Sequence, residues 1–483
     1  MKKILGLLVG TSFLCSMQAN AQNEVDALRY SQITFGGTAR STAMGGAFGA
    51  LGADFSTLSS NPGGLGVYRK SEFSVTPSIY YQSTASDYNS VLNEDEKYNL
   101  NFNNFGFVLS NKIGKDDDIP EWKFVNFGFG YNRYNNFNNR MFIQGRGTSS
   151  ILDTYLNDAN GTSPDNLDQF GSGMAFNTYL IDTVPSTINR YFSDITSGGQ
   201  TQQKTFESTG GMGETVFSVG GNYADKIFVG GTFAFPRVRY SEEVMYEEAD
   251  DLNSIGFFKS MQLNQRLNVT GSGFNFKGGI IFKPADFVRI GASLHTPSFF
   301  RLTETYSADI TGNFDNGSTY TSESPSGKFD YRLKTPMRAT GSLAFVLGKY
   351  AVISGEYEFV DYASAKLRST KYNFNAENSE VKRKYTAAGN LRTGAEVKYE
   401  NFAFRLGYAL YGNPFKSGIN NSTRNNYTVG LGWRDEDYYL DVATVFSNYK
   451  ENYYLYDPSV TLVNPTKNTI NSKSFLLTFG YRF

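Results

Sequence analysis

The chain ends in SFLLTFGYRF, Ser474 to Phe483. Extended as a strand, it places Phe475, Leu477, Phe479, Tyr481 and Phe483 on one side and Leu476, Thr478, Gly480 and Arg482 on the other. The first face is wholly apolar or aromatic. In a soluble sandwich that face is core, and such a strand seldom finishes at the terminus with its largest side chain. On the outside of a membrane barrel it faces lipid, and the last ring sits at headgroup level, where aromatic girdles lie.

The other end of the chain bears on the choice. MKKILGLLVGTSFLCSMQANAQ combines Lys2 and Lys3, an apolar run from Ile4 to Cys15, and Ala19-Asn20-Ala21 before Gln22. This is the pattern of a secretory signal peptide over residues 1–21. Leu14 stands where a lipoprotein would carry a small residue, so Cys15 reads as part of the signal. Cys15 is also the single cysteine, so the exported chain has no disulfide to stabilise it. Past the signal no apolar run is long enough for a membrane-spanning helix. With 45 basic and 46 acidic residues there is no basic footprint for nucleic acid. An exported chain with 33 Tyr, 41 Phe and 49 Gly fits a transmembrane β-barrel whose strands alternate lipid-facing and lumen-facing residues.

That alternation recurs along the chain. Phe402, Phe404, Leu406, Tyr408 and Leu410 alternate with Ala403, Arg405, Gly407 and Ala409. Tyr427, Val429, Leu431 and Trp433 alternate with Thr428, Gly430, Gly432 and Arg434. Ala395, Val397 and Tyr399 oppose Arg392, Gly394, Glu396 and Lys398, and Val288, Ile290, Ala292 and Leu294 oppose Arg289, Gly291, Ser293 and His295. A greasy outside and a small or charged inside is the better reading, because a soluble barrel would need a very wide core for so many rings.

The pattern predicts fourteen strands, roughly 72–82, 101–111, 122–142, 204–223, 227–243, 260–282, 287–308, 328–346, 350–362, 390–399, 402–411, 426–434, 438–448 and 473–483. Their connections alternate between tight turns, such as Ala224–Lys226 and Glu400–Asn401, and long polar loops, near 83–100, 143–203, 244–259, 309–327, 363–389, 412–425 and 449–472. An outer-membrane barrel has this asymmetry, with its short turns periplasmic. An even strand number then places both termini in the periplasm and closes the last strand on the first. Residues 30–67, within the segment 22–71 that precedes the first strand, differ in kind. They are rich in Gly, Ala and Ser and lack strand alternation, and "SSNPGGLG" is turn chemistry. Too small to fold alone and too apolar to float, the segment is expected inside the barrel of residues 72–483 as a plug.

GGTARSTAMGGAFGALGADFSTLSSNPGGLG, with its Asn61-Pro62-Gly63, and GEYEFVDYASAKL resemble the FadL-type outer-membrane transporters of long-chain fatty acids and, in their TodX-like branch, other hydrophobic compounds. The resemblance covers Tyr30 to Phe483. It implies a fourteen-stranded barrel plugged by an N-terminal hatch, with the Asn-Pro-Ala motif of the family in that hatch and Gly63 here in place of alanine. It also implies capture of a hydrophobic ligand at extracellular loops, a tighter inner pocket, hatch movement, and lateral exit through the wall beside a kinked third strand. Phe483 resembles the C-terminal aromatic that the barrel assembly machinery reads. No cofactor or metal is implied, and the partners are a fatty-acid-like ligand and outer-membrane lipid.

Each candidate site has a plainer alternative. In the loop 143–203, Ile151, Leu152, Tyr155 and Leu156 form one apolar helical face, and Met174, Phe176, Tyr179, Leu180 and Ile181 form a second patch. They are a capture groove, or they pack the loop onto the rim. In the hatch, Phe35, Met44, Phe48, Leu51 and Phe55 line the inner pocket or anchor the plug. Gly128, Gly130, Asn132, Asn135 and Asn136 weaken strand pairing and mark a wall gap. Arg289, Arg338, Glu356, Glu358, Arg392, Glu396, Arg405 and Arg434 receive a carboxylate head group, or pair with one another across the lumen. The only histidine, His295, comes with no recognisable nucleophile motif, so an enzyme is not the expectation. A general diffusion porin would lack the plug. A haem or aromatic-hydrocarbon carrier would share it.

Overall fold

A computed structural model describes residues 24–34, 36–114, 121–195 and 199–483. Its wall is a closed antiparallel barrel of fourteen strands. These are β1 (Glu72–Tyr88), β2 (Val91–Lys112), β3 (Trp122–Asn136, continued by Asn139–Arg146), β4 (Thr201–Tyr223), β5 (Ile227–Ala249) and β6 (Phe258–Ala285). Next come β7 (Val288–His295 and Phe299–Phe314), β8 (Thr319–Glu323, Gly327–Lys334 and Arg338–Leu347), β9 (Ala351–Asp361 and Lys366–Arg368) and β10 (Ala387–Tyr399). The circuit ends with β11 (Phe402–Tyr411), β12 (Arg424–Arg434), β13 (Tyr438–Tyr453) and β14 (Thr466–Arg482). Among the described residues no helix is long and apolar enough to cross a membrane.

β14 closes on β1 in the register Glu72↔Arg482 and Ile79↔Phe475. Arg482 Nε donates to Glu72 Oε2 at 2.8 Å, and beyond the strand ends Ser71 and Phe483 exchange both backbone hydrogen bonds at 3.0 Å. The Phe483 ring lies 6.0 Å from Phe107 and 5.6 Å from Tyr481, so the last residue completes an aromatic rim. The alternation is obeyed around the wall. Phe475, Phe479, Phe404, Leu406, Tyr427, Leu431, Ile290 and Leu294 are exposed on the outside, while Leu476, Arg405, Arg392, Glu396 and His295 are buried inside. Over most of the circuit the sheet pairs with itself and leaves no edge for hydrocarbon to meet, the exception being β2 over residues 91–103, and this makes the apolar exterior compatible with a bilayer.

Most of the lumen charges pair with one another, while Arg289 donates to the Leu51 carbonyl at 2.6 Å. Arg392 meets Glu356 at 2.6 Å, Arg338 meets Glu358 at 2.7 Å, and Arg405 bridges Glu396 and Asp441 at 2.6 Å each. Lys277 bonds Glu214 and the Tyr134 hydroxyl. A buried charge without a partner is costly, so these residues hold the interior together.

The strands outrun the sequence expectation at the long-loop end. Residues 83–100, expected as a loop, continue β1 and β2 to a two-residue turn at Asn89 and Ser90, both with left-handed φ (49° and 68°). Asparagine tolerates that conformation, which suits a tight hairpin. The segments expected as loops near 244–259 and 309–327 are likewise shortened by strand extension.

Three helices cross the N-terminal segment: α1 (Glu24–Arg29), α2 (Ala39–Ala43) and α3 (Thr57–Ser60). At the long-loop end lie α4 (Leu152–Ala159), α5 (Ser172–Asn177) and α6 (Asn375–Lys384). There a core of Leu152, Tyr155, Met174, Leu180 and Ile181 packs on Tyr246, Phe258, Leu263 and Ile310 from the strand extensions, and on Leu455 and Tyr456. The Glu248 carboxylate is buried beneath it. It accepts from Ser150 Oγ, the Ile151 amide, Gln200, Gln202 and the Tyr246 hydroxyl at 2.6–3.1 Å.

Candidate functional site

The N-terminal segment lies against inward-facing wall residues and is bonded to them along its length. Ala39 N donates to Thr478 Oγ1, Gly45 N to Thr428 Oγ1 and Gly49 N to Glu356 Oε2, at 2.7, 3.1 and 2.9 Å. Arg40 Nε meets Glu396 at 3.1 Å, and the Ser60 carbonyl accepts from His295 Nε2 at 2.7 Å and Ser293 Oγ at 2.8 Å. His295 is thus a donor to the plug, in the tautomer protonated at Nε2.

The Asn61-Pro62-Gly63 motif builds a cap. Asn61 Oδ1 accepts from the Gly63 amide at 3.0 Å and starts a 3-10 turn over Pro62–Val67, where proline at the first position loses no hydrogen bond. Asn61 Nδ2 donates outward to the Gly49 and Ile280 carbonyls at 2.6 and 3.1 Å. Gly63 is pressed on β6 so closely that a Cβ would lie 2.9 Å from Ile280 Cα. The departure from alanine therefore has a steric cause in this wall.

Four of the five apolar hatch candidates pack on wall residues. Met44, Phe48, Leu51 and Phe55 are buried, and Phe35 lies outside the described residues. Phe55 fills the space a side chain would need at Gly106 and Gly130, and Leu58 does so at Gly128. Gly128 and Gly130 are therefore docking niches within the paired β2–β3 ladder, opposite Val108 and Gly106.

The ladder itself stops one step further on. From Lys112↔Phe124 it runs to Asn104↔Asn132. β3 then bulges between Arg133 and Asn135 and follows β4 alone, while β2 residues 91–103 keep only β1 as a ladder partner among the described residues. Side chains replace the missing backbone bonds. Asn136 Nδ2 donates to Asn99 Oδ1 at 3.3 Å, Lys97 pairs with Glu207, Arg140 meets Asp95 at 3.3 Å, and Asn93 Nδ2 reaches the Gln144 carbonyl at 3.2 Å. Asn132, Asn135 and Asn136 stand at this opening, as their side chains allow and β-branched residues would not.

The N-terminal segment reaches the same place. Asn135 Oδ1 accepts from Thr34 N at 2.9 Å, Asn135 Nδ2 donates to the Gln32 carbonyl at 2.6 Å, and Gly36 N donates to the Arg133 carbonyl at 3.1 Å. The Arg133 carbonyl, and the Tyr134 carbonyl that accepts from Thr34 Oγ1 at 3.1 Å, are thus satisfied by the plug. Beside it is a cavity of about 110 Å³ between the plug, the bulge and β11–β14. Its lining is mixed, with Tyr80, Asn101, Asn103, Arg133, Arg424 and Asn426 beside Ala409, Val445 and Leu476. Met44, Phe48, Leu51 and Phe55 are not among its described lining residues. Sequence periodicity did not find Asn101, Asn103, Arg424 or Asn426, whose shared cavity depends on closure of the barrel.

Among the loop candidates, Leu152, Tyr155, Met174 and Leu180 are core, Ile151, Leu156 and Phe176 are partly covered, and Tyr179 is exposed and stacked edge-on to Tyr320 at 4.7 Å.

No protein-family model matches the sequence, and no curated protein does. Solved structures do. A Pseudomonas aeruginosa FadL homologue matches at 13% identity over 93% of this chain and 99% of that one, with a TM-score of 0.57. The chain has the FadL-type fold. The P. putida toluene transporter TodX, at 12% identity, matches over 93% of this chain and 99% of its own with a TM-score of 0.54. The barrel, apolar on its outside, presents the exterior of a membrane-spanning β-barrel.

Proposed function

We propose that the protein carries hydrophobic small molecules across the outer membrane, long-chain fatty acids foremost, with residues 22–71 as a hatch and both termini periplasmic. The observation that carries this reading is the wall opening above Asn132, because the hatch is bonded to the same bulge through Thr34, Gly36 and Asn135. A ligand inside would leave sideways once the hatch shifts. That route keeps the alkyl chain out of water, where each exposed methylene costs about 0.8 kcal/mol. Capture would fall to the exposed or half-covered part of the loop face, Tyr179 with Ile151, Leu156 and Phe176. The likeness to a toluene transporter supports aromatic hydrocarbons as the second reading.

The test is uptake of a radiolabelled long-chain fatty acid by cells lacking their own transporter and supplied with this gene, beside a hydrophilic sugar. Saturable uptake, lost when Asn61 and Pro62 are replaced while the barrel still folds, is the expected result. Sugar leakage without fatty-acid uptake would overturn the reading in favour of a porin.

A further inference from the structure

Toward the long-loop end, four strands of the wall turn cations outward where their apolar stretch stops. Phe235 on β5 and Phe299 on β7 are exposed on the outer face, and the next residue of that face is Arg237 on the one and Arg301 on the other. On β8 the exposed Met337 gives way to Lys334 and Arg332, and on β9 Phe359 gives way to Lys366 and Arg368. All six cations are exposed, while their neighbours Val238, Phe300, Leu333 and Leu367 turn into the core. From Ile227 to Phe235, and from Ala351 to Phe359, is about nine residues, the length that carries a tilted strand across the hydrocarbon. The cations therefore begin at head-group level. The register sets them against one another: Arg237 is opposite Ser272, Ser272 opposite Arg301, Arg301 opposite Arg332, Arg332 opposite Arg368, and Lys334 opposite Lys366. Side chains directly opposite on one face are about 5 Å apart at Cβ, and like charges there are destabilising. Among the described residues none of the six forms an ion pair. The two carboxylates on this face are otherwise engaged, Asp330 accepting from Thr303 Oγ1 at 2.6 Å and Asp361 from the Ala363 amide at 3.1 Å. Arg266, further along β6, has its own partner in Asp309 at 3.2 Å. In a chain of 45 basic and 46 acidic residues this is segregated charge, and β2 by contrast turns Glu94 and Glu96 outward beyond Tyr98.

Resting on the outer-membrane orientation proposed above, with the long loops outside the cell, we propose that this belt binds the phosphate groups of a phosphorylated lipid in the outer leaflet. Guanidinium forks match phosphate oxygens two at a time. A phosphate seated among Arg301, Arg332 and Arg368 turns their mutual repulsion into attraction, and Lys334 and Lys366 hold a second phosphate on the membrane side of the row. The acyl chains of the same lipid lie on the rings of Phe274 and Phe299, which are exposed beneath the belt and stacked at 5.4 Å. The occupant is a lipid of the surrounding membrane, bound on the outside of the wall and apart from the route of any cargo.

The experiment places the full-length protein in phosphatidylcholine nanodiscs and measures, by native mass spectrometry, its retention of bis-phosphorylated lipid A and of the same lipid with both phosphates removed. The phosphorylated form is expected to be retained about tenfold better, and raised salt to narrow the difference. Arg301→Gln, Arg332→Gln and Arg368→Gln together should lower its retention about tenfold, while Arg266→Gln, outside the row, should leave it unchanged. Heat-modifiable electrophoretic mobility controls for folding. Should the triple variant not fold, Arg332→Gln alone is expected to cost about threefold, and no loss there would overturn the belt. Equal retention of the dephosphorylated lipid, or of the phosphorylated lipid by the glutamine variant, would overturn it as well. Displacement by millimolar inorganic phosphate would assign the row to free anions in place of lipid. The orientation is tested separately with an epitope tag at Gly317, in the turn between β7 and β8 where nothing packs on the backbone. Antibody should reach that tag on intact cells. A hidden tag would overturn the orientation and the outer-leaflet assignment together, whereas a reachable tag without phosphate-dependent retention would overturn the belt alone.

Discussion

Asn61 fixes the plug to the wall at Ile280. Its Nδ2 donates to the Ile280 carbonyl at 3.1 Å while also donating to Gly49 at 2.6 Å, and its Oδ1 caps Gly63. Asn61→Ala removes all three bonds and should destabilise the segment by about 1–3 kcal/mol. Gly63→Ala, which restores the family's residue, should do similar harm because its Cβ meets β6 backbone at 2.9 Å. Amide hydrogen exchange over residues 39–68 should accelerate in both variants, with the strands of the wall unchanged. Protection identical to the parent would show that the cap is dispensable.

The ion pairs across the opening should act as a latch. Arg140 and Asp95 are partly exposed, so their pair is worth only about 0.2–1 kcal/mol, a barrier that ligand or salt can overcome. Since residues 16–483 contain no cysteine, Asn101→Cys adds a single reporter to that part of the chain. Asp95→Arg should raise the labelling rate of that cysteine severalfold, and the swap Asp95→Arg with Arg140→Asp should return it toward the parent. Failure of the swap to restore the rate would mean that Asp95 acts through another contact.

Glu248 makes the cap at the long-loop end sensitive to pH. It lies near the last residue of a 23-residue strand, well beyond the stretch a bilayer covers. Burial raises its carboxyl above the usual glutamate value of 4.5, the hydrogen bonds from Ser150, Tyr246 and Ile151 opposing but not cancelling it. A raised value in the folded state means that the protonated form is the better fit. The contribution is full below 4.5 and is lost as pH rises through the raised value. A nitroxide at Asn157→Cys on α4 should therefore become more mobile as pH climbs from about 4.5 toward neutrality. Glu248→Gln should remove that dependence. An unchanged titration in the variant would assign the effect to another group.

Phe483 closes the barrel through two hydrogen bonds to Ser71 and its rings with Phe107 and Tyr481. Deleting it should reduce the fraction of heat-modifiable, assembled barrel in outer-membrane fractions severalfold. Phe483→Tyr, which keeps the ring, should assemble normally.

The wall was legible wherever lipid and lumen impose opposite chemistry on alternate residues, as in Phe402–Leu410 or Tyr427–Arg434. It was not legible in residues 83–100, because charged and polar residues such as Asp87, Glu94, Asp95, Glu96 and Lys97 interrupt the alternation on both faces of the hairpin. The bulge was visible in the run of asparagines, but its place was not. Gly128 and Gly130 drew attention to the paired region, where their function is to admit Leu58 and Phe55. Apolar residues in the loop and plug could be counted but not assigned, since a hydrophobic side chain reads the same whether it meets ligand or core. The seam Asn99–Asn136 and the cavity beside it arise from strand register across distant parts of the chain, which no local pattern encodes.

The most direct test of lateral exit is a reversible closure of the seam. Asn99 and Asn136, in side-chain contact at 3.3 Å, are replaced together by cysteine, and fatty-acid uptake is measured after oxidation and again after reduction. Uptake that falls when the disulfide forms and recovers when it is reduced is the predicted result. Full uptake through a quantitatively cross-linked barrel would contradict it.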